Sequence, residues 1–444
     1  MTKVEEAPQV QNSESIVDEI RDWLKENWDP ELTVAEWWER LGLAGWSSPT
    51  LPANAYGRGL SRSDALEASR EIASFGALGP PGGLGLLLAA PTIATHGTQE
   101  QIDLYVRGIV TGQQGWCQLF SEPGAGSDLA GLTTRAVKDG DEWVINGQKV
   151  WTSLGQFADL GMLLARTDPE VPKHQGITWM VLDMHQAGVE VRPLREMTGN
   201  AMFNEVFMSD AHAPDSAVIG GLNNGWAVAN TTLAFERSGL GAGAGGGGAG
   251  FSAMPGTVAD QLGRRAGEFV TPRTGGRAGG VAAMLAPMGP AALIALARKT
   301  GKDKDPVVRQ GLARLHTLGE VARFNTERMK AYRAAGRDIP GLGNIAKLTM
   351  SDIMRLSRDL GLSIAGAQGT LHAYTQETRE PLDGLPNSEL VSAITGLALH
   401  AQAPPIYGGT DQIQRNIIGE RVLGLPKEPN NDRTALFSEL PKNG

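Results

Sequence analysis

Glu236 and Arg237 end the run Leu233-Ala234-Phe235-Glu236-Arg237, a charged pair set among apolar and small residues. Such surroundings invite a shifted carboxylate pKa and suit proton transfer. An ordinary helix surface carries the same dipeptide. A second group, Ser121-Glu122-Pro123-Gly124-Ala125-Gly126-Ser127-Asp128, joins two hydroxyls to glycines that let backbone N–H groups approach a bulky ligand. By composition it is equally a surface turn. Gly241 to Gly246 satisfies G-x-G-x-x-G, but it follows a helical run where the dinucleotide fingerprint needs a strand. No Walker loop, His-Glu-x-x-His or Gly-x-Ser-x-Gly is present, which weighs against phosphoryl transfer, zinc hydrolysis and serine hydrolysis. The single cysteine, Cys117, allows neither an intrachain disulfide nor a cysteine-rich zinc site, and no metal is expected.

The elements that must position these groups change character along the chain. Up to residue 115 the pattern is helical: Ile16, Val17, Ile20, Trp23 and Leu24 form one stripe behind a candidate N-cap, Ser15. Thr33 to Glu36 and Thr98 to Gln101 read as capping boxes. Pro80-Pro81-Gly82-Gly83 breaks the chain before an apolar run, Leu84 to Ala90, suited to a short buried helix. From about residue 116 strands take over. Trp143 to Trp151 reads as two short strands about an Asn146-Gly147 turn, with Asp139-Gly140 a further turn before it. Leu160 to Arg166, Ile177 to Met184 and Val189 to Arg195 continue the strand pattern. Helix returns near Trp226 and meets the glycine-rich run Gly239 to Gly250, either a loop or a helix held by close packing. Amphipathic patterns resume from Ala291 to about Ala373 and again from Asp411 to Leu423. The expected fold class is α+β, with an N-terminal helical domain (1–115) and a small central β-barrel or sandwich (116–220). A C-terminal helical bundle (221–444) follows, with an insertion at about 239–290.

At 444 residues, with 41% hydrophobic and 20% charged residues, the chain can bury a sizeable core over two or three domains. A formal net charge of −9 argues against a nucleic-acid partner. No apolar run is long enough for a membrane span and the N-terminus has no signal-peptide pattern, so a cytoplasmic location is expected.

Taken in series, several segments resemble the flavin-dependent acyl-CoA dehydrogenases. They are Pro80 to Gly85, His96-Gly97-Thr98, residues 116–166, Met197-Thr198-Gly199, Phe203 to Phe207 and residues 406–426. The wording of Trp116 to Glu122 and Tyr407 to Asp411 is similar to actinobacterial members acting on bulky, branched or sterol-type acyl-CoAs. The resemblance implies FAD contacts at Gln118, Phe120, Ser121, Gly126, Ser127, Trp151, Thr152, Ser153, Thr410 and Gln412. It implies substrate contacts at Ser127, Arg237 and Gly408. It also implies α,β-dehydrogenation to a trans-2-enoyl-CoA, electron transfer to an electron-transfer flavoprotein, and a homo- or hetero-oligomer, a tetramer or dimer.

Many members carry the catalytic glutamate where this chain has Gly408. Others take it from a helix reading Glu-Arg after an apolar run, which Glu236 matches. Gly408 keeps the backbone N–H that in the family binds the thioester carbonyl. Two departures stand out: Ala297-Arg298-Lys299-Thr300-Gly301 replaces an Arg-x-x-Phe-Gly motif that grips a neighbour's FAD, and Ala234 replaces a frequent CoA-contacting aspartate. Two other readings follow, a catalytically silent subunit of a mixed complex and an acyl-CoA oxidase.

Overall fold

The computed structural model describes residues 13–241, 261–270 and 290–441, apart from positions 336, 338, 428, 430, 431 and 433. Their architecture is the expected α+β one, with helices before and after a central sheet. The first helix, Ser13–Asn27, begins two residues before the candidate cap, so Ser15 lies exposed inside its first turn. Its stripe is spaced as expected: Ile16, Ile20 and Leu24 are buried in one cluster with Trp37 and Trp38 of the helix Val34–Leu43. Both capping boxes form, at Thr33–Glu36 and Thr98–Gln101. After the Pro-Gly break, a π turn, Gly85–Ala89, runs straight into the helix Ala90–His96.

Eight strands follow: β1 (Trp116–Leu119), β2 (Arg135–Asp139), β3 (Glu142–Ser153), β4 (Leu160–Arg166), β5 (Ile177–Asp183), β6 (Val189–Leu194), β7 (Phe203–Pro214) and β8 (Val218–Ile219). They form one mixed sheet in the order β6-β7-β3-β2-β4-β5-β8, with β1 parallel to β4. The hydrogen-bonded path is open, ending at β6 and β8. The expected hairpin at Asn146-Gly147 is not there. β3 runs through it without turning, because β2 and β7 pair with it on either side. The register with β7 slips between Ile145 and Gly147, which makes the site a bulge, and a side chain at Gly147 would collide with Thr134. The turn lies just before, where Gly140 takes φ 58° between Asp139 and Glu142.

The helix Gly225–Gly241 crosses this sheet. A Cβ at Gly225 would stand 2.5 Å from the backbone of Trp179 on β5, so only glycine lets the helix start there. Of the insertion, residues 261–270 are described, and they lie on the N-terminal helices. Ala266 is fully buried, and the Val34 and Ala35 N–H groups donate to Arg264 and Leu262 carbonyls. The G-x-G-x-x-G run lies outside the described residues beyond Gly241.

The C-terminal part holds the expected helices Pro290–Lys299, Pro306–Ala334, Leu342–Ala365 and Asp411–Ile417. Two more, Gln376–Asp383 and Ser388–His400, lie where no pattern called for them. The first is strongly polar and carries Pro381 inside it, which reads against a helix; the second is apolar nearly all round and shows no stripe.

One ion pair fixes the loop after β1 to the sheet. Lys149 on β3 is 0% exposed, and its Nζ donates to Glu122 Oε1 at 2.9 Å and to the Phe120 carbonyl at 3.0 Å. Glu122, 6% exposed, also accepts from the Thr133 N–H and hydroxyl and from the Thr134 N–H. Burial alone would raise the Glu122 pKa, but Lys149 and these donors overcome it and hold the carboxyl at about 2. Burial lowers the Lys149 pKa, and Glu122 offsets part of that cost.

Glu122→Gln therefore strands a buried ammonium and should destabilise the protein by about 3–5 kcal/mol in urea unfolding. Adding Lys149→Met should recover much of that loss; a double variant no better than the single one would refute the pairing. The Glu122 contribution should be complete above its ordinary pKa of 4.5 and vanish as pH falls through about 2.

Candidate active site

Glu236 sits on the face of the helix Gly225–Gly241 that also carries Thr232, Val228 and Gly225, about one, two and three turns back. Buried hydroxyl contacts fix the helix's rotation: Thr232 Oγ1 meets Thr92 Oγ1 at 3.1 Å, and Thr231 Oγ1 meets His96 Nε2 at 2.8 Å. So oriented, the half-buried Glu236 carboxylate reaches β1, where Gln118 Nε2 donates to its Oε2 at 3.4 Å. The base candidate and one flavin candidate are thus in contact. The Arg237 side chain lies outside the described residues.

β1 leads into the second cluster. Glu122 and Ala125 exchange both backbone hydrogen bonds across Pro123-Gly124, a tight turn that leaves Gly126 and Ser127 exposed and Ser121 half-buried. Among the described residues nothing stands within 4 Å of a Cβ built at Gly126. The Phe120 side chain belongs to the buried core, and only its carbonyl is engaged, by Lys149. Burial pushes the neighbouring Cys117 thiol up to about 12, which removes it as a nucleophile.

Beside that turn, β3 ends at Trp151-Thr152-Ser153. Trp151 takes φ 62°, a left-handed conformation unusual for a bulky residue, and the β3–β7 register slips there. Its indole is 61% exposed and meets Phe203 edge-on at 5.9 Å. Pairing on both sides of the slip holds this strain. Thr152 points inward, fully buried, and its hydroxyl has no hydrogen-bond partner among the described residues; Ser153 is half-buried.

Gly408 and Gly409 take φ 63° and 79°. Gln414 Nε2 donates to the Gly408 carbonyl at 3.0 Å and is held by Asn344. Thr410 caps the helix Asp411–Ile417, accepting from the Ile413 N–H, while Gln412 is exposed. The segment is anchored by a residue outside the candidate set. Asp411, buried, accepts from Lys347, Ser351 and Arg355 of the helix Leu342–Ala365. Burial alone would raise its pKa, but these three partners hold it below the ordinary range. The helix Leu342–Ala365 packs against both Gly225–Gly241 and Asp411–Ile417 and so ties the two regions together.

The strand-loop has further supports that sequence reasoning missed. Buried Arg166 donates to the Ala130, Leu132 and Lys173 carbonyls and stacks on Phe437 of the C-terminal tail at 3.7 Å. Lys173 bridges Asp128 and Asp432. The sequence signal for them is a cation inside a strand pattern: Arg166 closing β4 and Lys149 within β3.

Comparison with known proteins gives the family. Models of the acyl-CoA dehydrogenase N-terminal, middle and C-terminal domains match residues 10–113, 117–211 and 270–423. Acyl-CoA dehydrogenase IpdE1 of Mycobacterium tuberculosis is 32% identical over 438 residues, 94% of this chain and 99% of that protein. Acyl-CoA dehydrogenase FadE34 of the same organism is 35% identical over 87% of this chain, which spans only 46% of FadE34. Among solved structures, the Tcur3481-Tcur3483 steroid ACAD aligns with TM-score 0.65 and 25% identity, covering 94% of this chain and 98% of that one. The ChsE4-ChsE5 complex from Mycobacterium tuberculosis gives 0.60 and 25%, covering 96% and 100%. With three domain models in succession and a relative matched end to end, this chain belongs to the acyl-CoA dehydrogenase family of flavin-dependent oxidoreductases.

Proposed function

We propose that this chain uses FAD to convert an acyl-CoA thioester to its trans-2-enoyl-CoA, with Glu236 as the base. The observation that carries the reading is the Glu236 carboxylate held over β1 at Gln118, beside the strand end that leads to Ser121. A carboxylate there can take the α-proton, the step that most needs a positioned base. The residues present fit a flavin. The strained Trp151 indole offers an exposed aromatic face, and the buried, unpartnered Thr152 hydroxyl stands next to it. Ser121, Gly126 and Ser127 provide hydroxyl and backbone donors on an open turn. Bound there, the flavin would supply a hydride acceptor for the β-hydrogen. Gly408 would contribute its N–H to the thioester oxygen, where charge builds as the proton leaves.

Three finer assignments go with this reading. Electrons pass to an electron-transfer flavoprotein, since a dehydrogenase needs an acceptor beyond its flavin. The acyl group is bulky or branched, because the glycine and alanine following Glu236 remove side-chain volume near the family's acyl pocket. The protein works in an oligomer, and a mixed one is favoured by two features: the end of the helix Pro290–Lys299, which lacks the aromatic of the FAD-gripping motif, and the two-chain neighbours named above. Gly408 is also what a silent subunit would carry, which keeps that second reading in play.

Purified protein should be yellow and should bleach anaerobically with the right acyl-CoA. Branched or polycyclic thioesters should react faster than butyryl-CoA, and rapid peroxide formation without an acceptor would instead identify an oxidase. One FAD per chain with turnover by this chain alone would eliminate the silent-subunit reading; colourless protein that FAD cannot reconstitute, with or without a partner, would sink the main one.

Glu236→Gln should keep FAD and substrate binding while turnover falls by at least about 10²-fold. Turnover within a few-fold of wild type would move the base elsewhere. A glutamate at Gly408 should rescue this variant poorly, because φ 63° there disfavours any side chain.

A further inference from the structure

Trp116 opens β1, and alternation along the strand puts its side chain on the same face as Gln118. That face is covered by the π turn Gly85–Ala89, where the indole lies on Gly85, and by the helix bearing Glu236. The indole is 1% exposed and meets Tyr105 edge-on at 5.9 Å, yet its Nε1 has no hydrogen-bond acceptor among the described residues. Two residues earlier, Gln114 Oε1 is also buried without a partner among the described residues. Both residues line one small cleft, with Pro81 to Leu86, Ile109, Gly112 and Gly115 as its other walls. A buried N–H without an acceptor is costly, and two unmet polar atoms in one cleft mark a place shaped for a polar occupant.

We propose that this cleft receives an oxygen of the acyl group, so that Trp116 and Gln114 select thioesters carrying a keto or hydroxyl group far from the reacting carbons. The proposal rests on Glu236 acting at the α-carbon. Trp116 and Gln118 lie two strand residues apart, about 7 Å, so the oxygen belongs about five or six carbon bonds beyond that carbon. A keto oxygen accepts from the indole N–H. A hydroxyl accepts from it and also offers a proton to Gln114 Oε1. A plain alkyl chain satisfies neither and leaves both dry.

The test is calorimetric binding, alongside turnover, of octanoyl-CoA, 7-oxo-octanoyl-CoA and 8-hydroxyoctanoyl-CoA with the holoprotein. Wild type should bind the two oxygen-bearing thioesters about tenfold or more tightly than octanoyl-CoA. Trp116→Phe, which keeps the ring packing, should bring both ratios near one while leaving octanoyl-CoA binding within about twofold. Gln114→Leu, further from the core packing, should reduce the hydroxyl preference alone. Equal binding of all three by wild type means that the cleft holds only solvent, and overturns the proposal. Ratios unchanged by both substitutions overturn it as well. Discrimination in binding without turnover would support the cleft and count against Glu236 chemistry; turnover without discrimination would sink the cleft alone.

Discussion

The buried contact between Glu122 and Lys149 is the constraint on which the rest of the site depends. It joins the loop after β1 to the middle of β3, two elements that pair with different neighbours in the sheet. Because both charges are out of water, the loop has one low-energy position, the one that satisfies them. That position brings Ser121 beside the Trp151 end of β3, where the Val150 N–H donates to the Ser121 carbonyl at 2.9 Å, since Lys149 precedes Trp151 by two residues on the same strand. A buried pair of this kind adds little net stability, but it specifies geometry. Arg166 and Lys173 extend the same logic, linking the far side of the loop to the C-terminal tail through Phe437 and Asp432.

The second organising element is the helix Gly225–Gly241. It enters the fold at a glycine pressed on β5, and it is locked in rotation by Thr231 and Thr232 against His96 and Thr92. Its last described side chain, Glu236, then has little choice but to face β1. Helix rotation here is set by small polar contacts, because its apolar stripe is too diffuse to set it alone. The Asp411 network plays the corresponding part for the Gly408 segment, fixing it to the helix Leu342–Ala365. The two candidate catalytic regions thus share one scaffold helix.

Gly408 makes physical sense in that frame. With φ 63° and a neighbour at 79°, this backbone suits glycine and penalises a side chain. A chain that takes its base from Glu236 is free to use such a conformation, and one with a glutamate at Gly408 would be strained by it. The glycine and the glutamate are therefore two sides of one arrangement in the proposed mechanism.

The helices with clean stripes, both capping boxes, the strands β4 to β6 and the family itself were legible in the residues alone, because each rests on short-range periodicity or a contiguous motif. The unbroken passage of β3 through Asn146-Gly147, the helices Gln376–Asp383 and Ser388–His400, and the docking of residues 261–270 were not. Pairing on both edges of β3 outweighed a strong local turn signal, Pro381 reads against the first of those helices, and the second, without a polar–apolar division, has no periodicity to read. The site divides the same way. Sequence named Glu236 and Gln118 separately and offered Trp151 as a platform. Only the tertiary structure brought the first two to 3.4 Å, gave Trp151 its strained, exposed pose, and buried Lys149 under the loop. Those outcomes depend on contacts between residues from about 27 to 118 positions apart, and the energy of such contacts belongs to the packed pair rather than to either stretch of chain.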